Sequence, residues 1–142
     1  MTALTVTVVG TPVGQGRLSA VGRGRLVHSN ASSLLPWRQS IAVQCRWAMG
    51  DAGLTEPLEG PLTLTATFTL PRPKSAPKSR WAPDRRPDLD HLVRAACDGL
   101  TGGGCWVDDS QVVTVVASKV YGPLPGAVLT VAPAERGEAI AA

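Results

Sequence analysis

Arg86-Pro-Asp-Leu-Asp-His-Leu-Val-Arg94-Ala-Ala-Cys-Asp-Gly-Leu100 is the stretch on which the reading of this chain turns. Leu89, Leu92, Val93, Ala96, Cys97 and Leu100 recur at steps of three and four, which predicts a helix from about Asp88 to Leu100 with one apolar face. Pro87 marks its start and Thr101-Gly-Gly-Gly104 its end. On the N-terminal side Leu62 to Leu70 alternates apolar and polar residues, the period of a half-buried strand. On the C-terminal side Gln111 to Tyr121 is rich in Val and reads as a strand. Gly122-Pro-Leu-Pro-Gly126 reads as a turn and Ala127 to Val131 as the returning strand, together a Val-rich hairpin.

Further out, Thr2 to Val9 alternates Thr with Leu and Val and predicts a first strand. Thr11 to Asn30 carries Gly14, Gly16, Gly22 and Gly24 with Arg17, Arg23 and Arg25, the composition of a flexible loop or small hairpin. No Lys-Ser or Lys-Thr follows those glycines, which excludes a P-loop. Ser32 or Ser33 is placed to cap a second helix whose apolar stripe is Leu34, Trp37, Ile41, Cys45 and Ala48. Pro36 is tolerable only in its first turn, and Gly50 is the expected stop. Between Pro71 and Pro87 five prolines forbid a continuous helix or a central strand, so an extended, mobile loop is expected.

A chain of 142 residues fits one domain, expected over residues 1–132, with 133–142 as a frayed tail. No apolar run approaches the ~20 residues that cross a bilayer, and residues 1–10 lack a secretion signal. A soluble, cytoplasmic protein without membrane association is expected. Cys45, Cys97 and Cys105 form no CxxC pair, and their odd number argues against a disulfide framework. The net charge of +3 says less than its distribution. No acidic residue precedes Asp51, and Pro71 to Pro87 then brings Arg72, Lys74, Lys78, Arg80, Arg85 and Arg86 against the single acid Asp84. Trp81 in that loop is available to stack on a base, whereas Trp37, Trp47 and Trp106 read as core.

These basic loops lead into Asp88, Asp90, Asp108 and Asp109. Two carboxylates about 5 Å apart repel by roughly 3 kcal/mol at an effective dielectric of 20. Three such pairs would rival the ~5–15 kcal/mol that stabilises a whole domain. Either protons or a divalent cation must relieve the repulsion, and nearby arginines point to a polyanionic substrate that adds still more negative charge. On an ideal helix Asp88 and Asp90 diverge by about 200°, so both face one ion only if Asp88 stands at or before the N-cap. Arg94 falls one turn after Asp90, and Asp98 one turn after Arg94. His91 is expected to point to another side of the helix, and a zinc site with Cys97 and Cys105 fits no common ligand spacing. The plain alternative is that Asp88 only caps a helix, Asp90 pairs with Arg94, and Asp108-Asp109 form a turn.

The segment Arg86 to Leu100, followed by Trp106-Val-Asp-Asp-Ser-Gln-Val-Val113, closely resembles the RusA-like Holliday junction resolvases, endodeoxyribonucleases of phage and prophage origin. The likeness is strong over residues 85–116 and looser before them. It implies an α+β protomer, a small mixed β-sheet packed against two main helices, assembled as a homodimer. The implied activity is Mg²⁺-dependent paired nicking of branched DNA at a four-way junction, with Mn²⁺ as a substitute ion, in DNA recombination and repair. The resemblance makes Asp88, Asp90 and Asp109 metal-binding and catalytic, with Asp108 as a supporting ligand. The family commonly has Asn where this chain has His91 and a catalytic lysine where it has Arg94. An arginine stays charged at working pH, so Arg94 is expected to position or stabilise charge and not to shuttle protons.

Arg17, Arg23, Arg25, Arg72, Lys74, Lys78, Arg80, Trp81, Arg85 and Arg86 are the expected DNA contacts, directed at phosphate and branch shape more than at base edges. Two rival functions compete with junction resolution: a DNA-junction-binding protein without catalysis, and a metal nuclease for flaps or other branched nucleic acids.

Overall fold

Val-rich Gln111 to Tyr121 does not fold back on the strand that follows it, and this pairing choice organises the molecule. In the computed structural model, which describes residues 3–16, 18–21, 25–28 and 31–137, the strands are β1 (Leu4–Val9), β2 (Leu18–Val21), β3 (Arg25–His28), β4 (Leu62–Leu70), β5 (Val112–Tyr121) and β6 (Gly126–Pro133). The helices are α1 (Ala31–Asp51) and α2 (Leu89–Gly102), and a single 3₁₀ turn spans Asp109–Gln111. The main sheet has the order β1-β6-β4-β5, and β2 pairs antiparallel with β3, in line with the second of the two forms, loop or small hairpin, expected of the Gly/Arg segment. β6 lies antiparallel between β1 and β4, whereas β5 pairs in parallel with β4 at the edge. The expected β5-β6 hairpin is therefore corrected: the turn after β5 steps over the end of β4, where Gly122 N–H donates to Leu70 O at 3.1 Å. Gly10 N–H then donates to Pro125 O at 3.0 Å, which docks the same turn onto the end of β1. A parallel pair requires a crossover, and α2 supplies it.

Alternation decides which side of the sheet is buried. Leu4, Val6 and Val8 of β1, Leu62, Leu64, Ala66 and Phe68 of β4, and Ala127, Leu129 and Val131 of β6 face the helices and are buried. The opposite face presents Thr5, Thr7, Thr65, Thr67, Val116, Ser118, Val120, Val128 and Thr130 and carries no charged side chain at the outward positions of these strands. The α+β class with a mixed sheet against two helices holds. No helix among the described residues is long and apolar enough to cross a membrane.

The first helix begins at Ala31, so Ser32 and Ser33 lie inside its first turn and neither is the cap. Pro36 stands one turn further in, exposed, and α1 ends one residue beyond Gly50. Leu34, Trp37, Ile41, Ala42, Cys45 and Met49 form the buried stripe, with Ala48 only half-buried. Trp106 joins the core, with Nε1 donating to Thr101 Oγ1 at 2.7 Å, but Trp47 is exposed on α1, contrary to the core reading.

Glycine sets how closely the helices approach. A Cβ on Gly99 would sit 2.7 Å from Ile41 Cβ, and one on Gly103 would sit 2.8 Å from Ala42 O. These two positions, one turn apart, form a groove that takes the backbone of α1. At its rim Arg38 pairs with Asp98 at 3.8 Å, and Arg46 donates to Gly102 O at 3.2 Å. Gly104, at φ +82°, then turns the chain away as expected of the Gly-rich stop.

Pro71 to Pro87 is a series of turns and not an extended segment. Ala76 N–H bonds Pro73 O, Arg80 N–H bonds Pro77 O, and Arg72 reaches forward to Pro77 O at 2.6 Å. Ala76 and Pro83 are buried beneath it. At the C-terminal end β6 runs to Pro133, and Ala134 N–H bonds Pro61 O at 2.9 Å, so residues 133 and 134 belong to the folded part.

Substituting Gly99 by Ala should destabilise the protein by about 1–3 kcal/mol through overpacking against Ile41. Urea unfolding checks this, and an unchanged midpoint would mean that the helices are not in backbone contact.

Candidate metal centre

The head of α2 is built by three elements that converge on one proline. Asp88 is the N-cap residue, with φ −69° and ψ 142°, and its side chain makes no capping hydrogen bond. The carboxylate is therefore not used in capping, against the reading in which Asp88 serves only as a cap. Because Asp88 precedes the helix in extended backbone, it escapes the divergence an ideal helix would impose on it and Asp90. The donor atoms of Asp88, Asp90 and His91 all lie within 4.8 Å of one another. His91 bridges the acids: Nδ1 is 3.9 Å from Asp88 Oδ2, and Nε2 is 3.9 Å from Asp90 Oδ2. The expectation that His91 turns aside is thus corrected, and the reason is the position of Asp88 outside the helix.

Two supports hold this head in place. Lys119 of β5 donates to Arg85 O at 2.7 Å and to Pro87 O at 2.9 Å, gripping the backbone immediately before Asp88. From the other side Gln15 N–H donates to His91 O at 3.0 Å. Gly14 packs so tightly there that a Cβ would lie 3.0 Å from His91 Cβ and 3.3 Å from Pro87 Cβ. Neither support was singled out from the sequence. Lys119 left a signal, being the single charged residue in Val112–Tyr121.

Side chains of Asp88 and Asp90 are 57 % and 81 % exposed, so water and salt screen much of their repulsion. The ~3 kcal/mol per pair reasoned for a dielectric of 20 is an upper bound here. Asp90 makes no ion pair with Arg94 among the described residues, and exposed Arg94 has no acidic partner there. The charge ladder along α2 is broken because Asp98 reaches across to Arg38.

Asp108 and Asp109 meet α2 elsewhere. Asp108 caps the 3₁₀ turn: its Oδ1 accepts from Ser110 N–H at 2.8 Å while Gln111 Oε1 accepts from Asp108 N–H at 3.2 Å. That hydrogen bond from Ser110 is the main reason its carboxyl titrates below the usual range. Gln111 Nε2 also donates to Leu58 O and Gly60 O, anchoring the turn to the chain before β4. The Asp109 carboxyl is pushed up, first by burial and then by Asp108, with Asp98 contributing. Asp109 in turn raises the Cys97 thiol, which burial first and Asp109 second push up to about 12. Asp109 thus acts electrostatically on Cys97 and Asp98 in the second half of α2, and its carboxylate is not among the donor atoms of Asp88, Asp90 and His91 that lie within 4.8 Å of one another. The plain reading of Asp108-Asp109 as a turn holds for their backbone.

Among the expected DNA contacts, Lys74, Lys78, Arg86 and Trp81 are exposed, the last at 86 %. Arg80 and Arg85 share Asp84, at 3.8 and 3.6 Å. Arg17 and Arg23 lie outside the described residues, and Arg25 opens β3 with its side chain outside them too.

Comparison with known proteins places these residues in a family. A model described as Endodeoxyribonuclease RusA matches residues 10–132. The chain is 33% identical over 102 residues to the Crossover junction endodeoxyribonuclease RusA of Escherichia coli (strain K12), spanning 72% of this chain and 71% of the relative. It is 31% identical over 102 residues to the protein of the same name from Enterobacteria phage 82, with the same coverage. An uncharacterized protein, YqaN of Bacillus subtilis (strain 168), is 28% identical over 136 residues, 88% of this chain and 92% of the relative.

With a thiol near 12, on the order of 10⁻⁴ of Cys97 is thiolate at pH 8, and alkylation should be slow. Asp109→Asn removes a charge that raises this pKa, so the rate at Cys97 should rise about two- to tenfold for a shift of up to one unit. Peptide mapping of iodoacetamide labelling measures it; an unchanged rate would place Asp109 away from Cys97.

Proposed function

The chain belongs to the RusA endodeoxyribonuclease family, and from that premise we propose a Mg²⁺-dependent nuclease that resolves four-way DNA junctions by paired nicks, with the head of α2 as its metal site. As a member of this family it is an endodeoxyribonuclease, a hydrolase of phosphodiester bonds. The observation that carries the site assignment is the Asp88 carboxylate, not used in capping, beside Asp90 and His91, three donors within 4.8 Å. Two exposed carboxylates suit Mg²⁺, which keeps several waters and takes one or two protein oxygens. The imidazole of His91 makes Mn²⁺ an acceptable substitute. When bound, the ion supplies Lewis acidity and an activated water at the scissile phosphate.

Arg94, one turn beyond Asp90 and unpaired among the described residues, neutralises charge on the phosphate in this proposal. Its guanidinium cannot accept a proton, so its part is electrostatic where the family uses lysine. Asp109, outside the group of three donors, is proposed as a further acid needed for cutting, with its carboxylate presented by the turn that Asp108 caps. Exposed Lys74, Lys78, Arg85, Arg86 and Trp81 bind the DNA backbone and branch. A homodimer would deliver the paired nicks, and the uncharged Thr/Val face of the sheet supports self-association, since interface cores are depleted of charge. A cytoplasmic location follows from that substrate.

A synthetic four-way junction tests the reading directly. Nicking should require Mg²⁺ or Mn²⁺ and stop with chelator, and Asp88→Asn or Asp90→Asn should reduce it on the order of 10²-fold or more. Arg94→Lys should keep substantial activity and Arg94→Gln should lose about 10²–10³-fold. Equal activity of all three side chains would remove Arg94 from the mechanism, and equal cutting of flaps would replace junction selectivity by a general branch nuclease.

Affinity for the junction should fall with salt at a log–log slope of about −0.9 per phosphate neutralised. Replacing Arg85 and Arg86 by Ala together should flatten that slope by about 2 units. An unchanged slope would make the Pro-rich loop a linker.

A further inference from the structure

Beside the metal site lies a cavity of about 200 Å³ that the reading above does not use. Its walls are Pro12, Leu70, Pro73, Pro83, Pro87 and Tyr121. Leu70 and Pro83 are buried, so the interior is apolar, and the Tyr121 ring supplies one planar surface alongside the apolar edges of the prolines. Cations complete it: Arg80, Arg85 and Arg86 also line the cavity. Arg80 is only 19 % exposed and Arg85 is 70 % exposed, with Asp84 between them. Exposed Arg86 has no acidic partner among the described residues.

A small, largely apolar cavity walled by Tyr121 and prolines, with an unpaired guanidinium beside it, suits an aromatic ring joined to a phosphate. Bases stack on aromatic side chains regardless of sequence, and arginine adds cation–π attraction and phosphate binding. The volume is below the ~300–1,000 Å³ of sites for drug-sized ligands, which suits one base and not a base pair. Position fixes its place along the strand: Pro87 is both a wall of the cavity and the residue before Asp88. Lys119 holds the carbonyls of Arg85 and Pro87, so cavity wall and metal-site head form one gripped segment.

We propose that this cavity receives one unpaired nucleobase of the bound DNA, adjacent to the phosphate handled at Asp88 and Asp90. A branch point favours this, because a base pair beside it has lost a stacking neighbour and costs less to open, so a base there is cheaper to extrude. Accommodation of the base would hold the strand in register for cutting. The inference rests on the nuclease reading, and the two can fail separately.

Four-way junctions carrying a single abasic residue at successive positions around the branch are the probe. Binding is measured with Ca²⁺ in place of Mg²⁺, and nicking is measured in parallel with Mg²⁺. One position should stand out, with binding or nicking weakened roughly five- to a hundredfold, the range of one lost base–aromatic stack. In Tyr121→Ala that position should lose its sensitivity, and Tyr121→Phe should restore it. In case Tyr121→Ala misfolds, 5-iodouracil at the sensitive position of a junction bound to wild-type protein should crosslink to Tyr121 on peptide mapping. No sensitive position, or sensitivity that survives in folded Tyr121→Ala, or a crosslink elsewhere, overturns the cavity assignment while leaving the nuclease reading intact if nicking persists. A sensitive position in binding without any nicking upholds the cavity and removes the nuclease. Absence of DNA binding removes both.

Discussion

Parallel pairing of β4 with β5 is the constraint from which the rest of the molecule follows. Two parallel neighbours cannot be joined by a hairpin, so the chain must return across the sheet, and α2 makes that return. The helix thereby lies with its head near the end of β5, where Lys119 meets Pro87, and its tail near the start of β5, where the capped turn at Asp108 stands. Lys119 is seven residues beyond Val112, on the order of 23 Å along a strand. One crossover thus places the Lys119 ammonium under the head of α2, where the metal site is proposed, and sets Asp109 in the turn at the start of β5.

Much of this was legible in the residues. The Leu62–Leu70 strand is bounded as its alternation requires, and α2 differs from its apolar pattern only in running to Gly102. What failed was pairing: a Val-rich strand, a Pro/Gly turn and a second strand look like a hairpin, and nothing local in them reveals that β4 intervenes. Strand order depends on contacts distant in sequence, and local periodicity does not encode those. The α1 boundary failed for a different reason, since Ser32 and Ser33 are equally acceptable as caps or in a first turn. The site was legible as chemistry and less so as geometry. Asp88 and Asp90 do converge, but His91 joins them because Asp88 stands outside the helix, and Asp109 is held elsewhere by a turn whose capping the sequence pattern allowed.

Electrostatically, the head of α2 is an exposed site held in a firm backbone frame. Its acids are screened by water, so folding alone can bear their proximity. Firmness comes from elsewhere: Lys119 on the carbonyls before Asp88, Gln15 on His91 O, and the close approach of Gly14 to Pro87 and His91. Such an arrangement keeps donor atoms in place before any ligand arrives, which lowers the ordering cost of binding. The basic Pro-rich loop, folded into turns and continuous with Pro87, brings its cations to the same end of the molecule.

The central claim is that Asp88 and Asp90 are a divalent-cation site. Titration calorimetry of Mg²⁺ or Mn²⁺ into the protein, alone and with branched duplex bound, addresses it most directly. Saturable uptake by the wild type that is lost in the Asp88→Asn, Asp90→Asn double variant, with the fold retained, is the result the account requires. Uptake that persists in that variant, or none in the wild type even with DNA bound, would contradict it.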